Sequence, residues 1–204
     1  MNSITNFWNY FQQNNFVFLF LNEVSQEEIK QHFYNLKEVL NLYNKDLDLI
    51  IKNKKNDAEL IITAHGNPYL FKEVELLVLY APKIKRWKIT AFIQPETDLT
   101  KYENGTDKPF KFYGINLKVS DINFVLLGDP DKPLDFGIRV FLKNYIIYKE
   151  NPKLKEAVYI LIEHLIGEKS FANDLKFIDI NQLYQIDDNH LKLHHLKLYL
   201  DNDD

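Results

Sequence analysis

The 204-residue chain contains no cysteine. Disulfides, thiolate nucleophiles and cysteine-based zinc sites are therefore excluded, and we expect a cytoplasmic protein. Arginine is also scarce, since Arg86 and Arg139 are the two that occur. Affinity for phosphate backbones comes from clustered Lys and Arg, and the net charge of this chain is -4. We therefore expect no nucleic-acid partner.

The chain also lacks long apolar runs and the common catalytic motifs. The apolar run at residues 16–21 is too short for a membrane span or a signal sequence, so we expect no membrane partner. No Gly-x-Ser-x-Gly, Gly-x-Gly-x-x-Gly or Walker sequence occurs. We expect no cofactor, and the sequence by itself assigns no reaction.

What the chain does contain is typical of a globular protein. Hydrophobic residues make up 46% of it and aromatic residues 14%. No repeat and no Gly/Ser-rich linker divides it. We predict a single α+β domain over residues 1–204, with a short mobile C-terminal end.

Residues 59–95 are the most informative segment. Alternating apolar residues predict a strand that Gly66 ends, an amphipathic helix follows until Pro82, and a second strand begins at Trp87. Trp87 is in phase with Ile89 and Ala91, so we predict that it is buried where this strand meets the helix.

Other segments give a coarser pattern. Ser25 and Glu28 form a capping box that predicts a helix reaching Tyr43, and a second helix is predicted to end at Gly167. Residues 47–51 and 60–64 predict an antiparallel hairpin, and further strands are predicted at 115–119, 122–126, 138–142 and 177–180. Residues 95–109 predict an exposed loop. Residues 16–21 fit a strand or a helix, and for 189–200 a helix is favoured over a strand.

The predicted fold is α+β, a mostly antiparallel sheet of about six strands with helices packed on one face. This prediction joins all the strands into one sheet, because nothing in the local patterns separates them.

Three short stretches resemble a group of bacterial proteins. They are Ile62-Thr63-Ala64-His65-Gly66, then Leu77-Val78 with Ala81-Pro82, then Trp87 and Ala91-Phe92 with Pro95; Leu165-Ile166-Gly167-Glu168 is a later shared stretch. The resemblance covers about half of the chain. It implies a shared fold, and the group has no established activity that it could transfer.

Two candidate binding residues lie in the turn after the first strand of the 59–95 segment. His65 follows a strand end, where loops on a rigid sheet often carry ligand sites, although a turn residue is the commoner role. Asn67 fits either a binding residue or a cap for the following helix.

Two further candidates lie later in the chain. Arg139 lies on a predicted strand, where its guanidinium fits a carboxylate clamp or an ordinary ion pair. Glu168 belongs to an acid–base group with Glu163 and His164 at a helix end. We keep both as candidate ligand-binding or partner-binding residues.

A histidine group near the C-terminus raises the question of a metal site. On a helix, His190 and His194 would lie one turn apart on one face, which is a zinc-ligand spacing. The chain supplies no fixed third ligand, so we expect no metal.

Two functions remain open. The first is a non-enzymatic module that binds or regulates another protein, for example an immunity-type protein that neutralises a toxin. The alternative is a hydrolase or small-ligand enzyme with its site near His65. The sequence leaves the oligomeric state undetermined.

Overall fold

The structure is a computed structural model that describes residues 2–21, 23–53, 57–129 and 132–201. The chain divides into two compact units, Met1–Ile93 and Gln94–Asp204. None of the described helices combines the length and the apolar character that a membrane span requires. The prediction of a single domain over residues 1–204 stays a prediction. Within the predicted mobile C-terminal end, residues 202–204 lie outside the described residues.

The first unit joins three helices to a three-stranded sheet. Its elements are α1 (Asn2–Leu19), α2 (Gln26–Tyr43), β1 (Asp48–Asn53), β2 (Ala58–Thr63), α3 (Phe71–Leu79) and β3 (Trp87–Ala91). The sheet order is β1-β2-β3, with β1 antiparallel and β3 parallel to β2. The hairpin and the helix between two strands were both predicted from the sequence, whereas the parallel direction of β2 and β3 was not.

Local sequence signals explain the helices of this unit. The Ser25 side chain accepts a hydrogen bond from the main-chain N–H of Glu28 at 3.2 Å, which confirms the predicted cap of α2. The open choice at residues 16–21 is settled as helix through Leu19. Phe7, Phe11 and Phe18 recur at helical spacing and are all buried, so one face of α1 is part of the core.

Trp87 lies against α1. Its ring meets Phe11 edge-on at 4.8 Å, and its indole N–H donates to Asn15 Oδ1 at 3.0 Å. The residue is only half-buried, so the predicted burial is corrected, although its ring does pack against the core. The sequence predicted contacts with α3 alone, whereas contacts from α1 also position the ring at the edge of the sheet.

The second unit contains two separate sheets. Its elements are α4 (Thr100–Glu103), β4 (Phe110–Phe112), β5 (Ile115–Leu117), β6 (Asn123–Asp129), β7 (Lys132–Leu142), α5 (Tyr145–Tyr148), α6 (Leu154–Ile166), α7 (Glu168–Asp174), β8 (Phe177–Gln182), β9 (Leu191–Lys192) and α8 (Leu196–Asp201). One sheet is the hairpin β4-β5, and the other has the order β8-β7-β6-β9. Buried residues of α6, including Val158 and Ile162, pack with the strands in one core.

The α+β class is confirmed, and the single sheet of about six strands is wrong. The described strands form sheets of three, two and four strands. Two pairs, β2 with β3 and β7 with β8, are parallel. Alternation of apolar and polar residues along a strand indicates which face is buried. It does not indicate which strands pair with it, so the sequence could not separate the sheets.

Two local predictions in this unit are also corrected. The predicted helix at 189–200 is a short strand, a 3₁₀ turn at Leu193–His195 and a helix only from Leu196. The predicted exposed loop at 95–109 contains α4, and its Asp107 is only 6% exposed. In both segments, contacts with distant residues override the local pattern.

Candidate functional site

The turn after β2 forces His65 into an unusual backbone conformation. His65 and Gly66 have φ of 52° and 70°, and the N–H of Asn67 donates to the Ala64 carbonyl at 3.0 Å. Positive φ at both central residues is the signature of a type I′ turn, which glycine accepts easily and histidine accepts at some cost. The turn presents the His65 side chain at the carboxyl end of β2.

Asp48 and Lys37 meet His65 at this end of the sheet. Nε2 of His65 lies 3.3 Å from Oδ2 of Asp48, and Nζ of Lys37 lies 2.7 Å from Oδ1 of the same carboxylate. The His65 side chain is 64% exposed, whereas that of Asp48 is 26% exposed. A carboxylate shared by an imidazole and an ammonium therefore sits at the edge of the first unit.

The environment of Asp48 favours its ionised form. Partial burial by itself would raise the pKa of the Asp48 carboxyl group. Hydrogen bonds donated by His65, by Lys37 and by the main-chain N–H of Leu49 outweigh burial, and they hold that pKa well below its ordinary value. Asp48 is an anion throughout the physiological range.

An imidazole held by a carboxylate is the arrangement that orients a general base. Here Lys37 shares the carboxylate, and the imidazole is largely in solvent. Sequence reasoning singled out His65 and missed Asp48. The predicted hairpin carried the missing signal, because its register places Asp48 opposite Thr63, two residues before His65.

We expect Asp48→Asn to lower the free energy of unfolding at pH 7 by about 1 to 2 kcal/mol, because it removes charge-assisted hydrogen bonds at a partly buried carboxylate. The native pKa is depressed, so this contribution is complete above about pH 4, the ordinary aspartate pKa, and is lost as the pH falls below it. Urea unfolding of both proteins between pH 7 and pH 2.5 measures the difference.

The control is Asp46→Asn, which neutralises an exposed carboxylate two residues earlier. We expect it to change stability by less than about 0.5 kcal/mol at any of these pH values. If Asp48→Asn and the parent kept the same difference at pH 2.5 as at pH 7, the ionised carboxylate would not be the source of the stability.

Asn67 has a local structural role. Its Oδ1 accepts a hydrogen bond from the N–H of Tyr69 at 3.1 Å and caps the 3₁₀ turn Pro68–Leu70. The capping alternative is therefore what the structure displays, and a binding role for Asn67 stays a prediction.

Arg139 and Glu168 belong to the second unit, whereas His65 and Asn67 belong to the first. Arg139 Nε donates to Asp179 Oδ2 at 2.7 Å, across the pairing of β7 with β8. The two side chains are 42% and 45% exposed. Of the two alternatives for Arg139, a clamp for a ligand carboxylate and an ordinary ion pair, the structure shows the ion pair. Glu168 is fully buried at the start of α7, after Gly167 with φ of 85°.

The histidine group has a different geometry from the predicted one. His190 precedes β9 and contacts Asp187 at 2.7 Å, while His194 lies buried in the 3₁₀ turn with its ring 4.4 Å from that of His195. The one-turn helical spacing of His190 and His194 is therefore wrong. In the part of the chain that the structure describes, no three His, Asp or Glu side chains are grouped to hold a metal ion.

Exposed apolar residues on the outer side of α3 were not predicted from the sequence. Leu79 and Tyr80 are 75% and 53% exposed, and Leu76, one turn earlier, is 40% exposed. We call these three residues the α3 face. Val74 and Leu77 of the same helix are fully buried, so α3 has apolar residues on its inner side and, beside the exposed Lys72 and Glu75, on its outer side as well.

A groove adjoins the α3 face. It has a volume of about 290 Å³, and its apolar lining includes Ile4 and Trp8 of α1 together with Tyr80 and Pro82. Trp8 is held there because its indole N–H donates to the Leu77 carbonyl at 2.9 Å. Tyr80 belongs to both features, so the α3 face and the groove form one continuous surface.

Comparisons with protein-family models, with curated proteins and with solved structures find no match for this chain. The resemblance to the bacterial group therefore stays a prediction.

Proposed function

We propose that the protein is a non-enzymatic module that binds another protein through the α3 face and the adjoining groove. The observation that supports this proposal is the pair Leu79 and Tyr80, which are adjacent, large, apolar and more than half exposed. Large contiguous apolar patches are rare on monomers and mark interaction sites, and binding energy concentrates in a few anchor residues.

The position of these residues strengthens the argument. A helix at the surface normally has one apolar side, and α3 already buries its inner side through Val74 and Leu77. Leu76 and Tyr80 then repeat at one-turn spacing on the outside. A partner that covers the outer side would remove this apolar surface from water and would place a side chain in the groove beside Trp8.

We expect Leu79→Asp to abolish partner capture while leaving the fold intact, because the new charge would be desolvated in the interface but stays in water in the free protein. The matched control is Leu42→Asp on α2, which is also 75% exposed and follows Glu38 by one turn. Tagged parent and variants are compared by quantitative mass spectrometry after capture from the native cell.

A stoichiometric protein that the parent and Leu42→Asp retain and Leu79→Asp loses would support the proposal. Equal recovery with Leu79→Asp, or recovery of no stoichiometric protein, would contradict it. Sedimentation velocity of the purified parent identifies the case in which the partner is a second copy of the chain.

The proposal also covers the setting in which the module acts. We place it in the bacterial cytoplasm, as a regulator or an immunity-type partner, since the chain lacks cysteine and resembles a bacterial group. The proposed bacterial and cytoplasmic setting is supported by the amino-acid composition and the sequence resemblance alone.

The second candidate is an enzyme with its site at His65. It is favoured by one observation, the Asp48 carboxylate 3.3 Å from the imidazole. It requires that His65→Ala abolish turnover of a small-molecule substrate, and that Leu79→Asp leave this turnover unchanged. The protein-binding proposal requires the opposite pattern in partner capture.

A further inference from the structure

A buried carboxylate that the sequence analysis did not single out lies in the second unit. Asp107 is 6% exposed, and its main-chain N–H donates to the Lys101 carbonyl at 3.1 Å. Its Oδ2 accepts a long hydrogen bond of 3.4 Å from the N–H of Ser120. One hydrogen bond therefore holds the main chain of Asp107, and another holds one of its two carboxylate oxygens.

The second oxygen of Asp107 is left without a hydrogen bond. Among the residues that the structure describes, no donor lies within hydrogen-bonding reach of Oδ1. The nearest cation, Nζ of Lys118, is 4.0 Å away and donates instead to the Gly105 carbonyl at 2.6 Å. Burying a carboxylate oxygen without a hydrogen bond lowers the stability of the fold. Buried polar atoms therefore normally have a hydrogen-bond partner.

Asp107 lines a cleft with apolar walls. The cleft has a volume of about 640 Å³, within the range of small-molecule sites. Its walls come from the β4-β5 region and from α6, and they include Phe110, Leu117, Val119, Leu161 and Leu165. The described lining also includes Lys101, Thr106, Lys108 and His164, and Asp107 is its one carboxylate. A mostly apolar cleft with a few polar groups is the usual plan of a site that orients a small ligand.

The neighbouring polar atoms do not form a catalytic triad. Ser120 Oγ and His194 Nδ1 are both buried and have no hydrogen bond within the described part of the unit. A triad needs a serine–histidine bond and a histidine–carboxylate bond, whereas Asp107 contacts the main chain of Ser120. The geometry therefore supports binding in the cleft and gives no support to nucleophilic catalysis.

We infer that this cleft binds a small molecule with an apolar body and one hydrogen-bond donor, an amine or a hydroxyl, which Asp107 Oδ1 accepts. The body packs against Phe110, Leu117 and Leu161 and is removed from water. The donor supplies the hydrogen bond that the protein leaves unmade. This inference is independent of the α3 face.

Charge around the cleft affects the two possible ligand donors differently. Lys101 and Lys108 also line it, but Lys101 pairs with Glu96, and Lys118 lies near Asp107 without a hydrogen bond to it. A ligand ammonium gains the charge-assisted bond to the carboxylate and is opposed by Lys118. A hydroxyl gains the weaker bond without that opposition.

Three probes of the same shape test the inference on the full chain. Benzylamine, benzyl alcohol and toluene share an aromatic body, and toluene has no donor. In ¹H–¹⁵N NMR titrations we expect at least one of the first two to shift the amides of residues 106–108 and 161 saturably. Toluene should bind at least about tenfold more weakly.

Two variants assign the effect to Asp107. Asp107→Asn keeps a carbonyl oxygen for the Ser120 N–H, and we expect it to weaken benzylamine at least about tenfold. Lys118→Met keeps Asp107 and should strengthen benzylamine roughly threefold or more, because it removes the opposing cation. The control is Asp121→Asn, an exposed partner of Lys143, which should bind every probe as the parent does.

Several results would overturn the inference. They are binding of toluene equal to that of the two donor probes, no saturable shift with benzylamine or benzyl alcohol, and, where the parent binds benzylamine, no strengthening of that binding in Lys118→Met. Unchanged benzylamine binding in a folded Asp107→Asn would show an adventitious additive only. If Asp107→Asn fails to fold, Lys118→Met still decides the question.

Discussion

Replacing Phe11 with alanine is expected to lower the free energy of unfolding by about 3 to 5 kcal/mol. Phe11 is fully buried and meets the rings of Trp8 at 6.0 Å and Trp87 at 4.8 Å, both edge-on. The substitution loses the burial of an aromatic ring and two aromatic contacts, and it leaves a cavity between α1 and β3.

The control for this prediction lies on the same helix. Phe16 is 50% exposed, so Phe16→Ala should cost no more than about 1 kcal/mol. Urea unfolding followed by tryptophan fluorescence reports both variants, because Trp8 and Trp87 both belong to the first unit. Similar losses for the two variants would show that the buried face of α1 is wrongly assigned.

Ile162→Ala is expected to cost about 2 to 5 kcal/mol in the second unit. Ile162 is fully buried on α6 and packs in the core that also contains Phe124 and Val140. The matched control is Ile147→Ala on α5, where the side chain is 73% exposed and the expected change is within about 0.5 kcal/mol. Circular dichroism follows the unfolding of the whole chain.

The same variant tests the single-domain prediction. Both tryptophans lie in the first unit, so fluorescence reports that unit while circular dichroism reports both. If the chain unfolds as one cooperative domain, Ile162→Ala lowers the two midpoints equally. An unchanged fluorescence midpoint beside a lowered circular dichroism midpoint would show that the two units are separate domains.

Elements with a strong local signal were predictable from the sequence. The Ser25 cap begins α2 as its side-chain hydrogen bond requires, and Gly167, with φ of 85°, ends α6. The β1–β2 hairpin pairs as alternation predicted. The helix cap, the helix end and the hairpin are stabilised by contacts between residues close in sequence. A short stretch of the sequence is therefore enough to predict them.

The candidate sites were harder to predict, because each depends on residues brought together from afar. His65 was identified from its turn, but its partners Asp48 and Lys37 come from β1 and α2. Asp107 was assigned to an exposed loop, and it is buried because Lys101 and Ser120 hold its main chain and side chain. A polar residue in a polar stretch carries no local sign of burial.

Periodicity records burial directly, so the α+β class and most of the helices and strands could be predicted from the sequence. The division of the described strands among three sheets, the exposed Leu76 and Leu79 on α3, and the burial of Asp107 beside a cleft came only from the folded structure. Strand partners and pocket walls come from segments far apart along the chain, as when β6 pairs with β9. Their contacts are chosen by packing and by the entropy of closing long loops, and neither quantity can be read from a short stretch of residues.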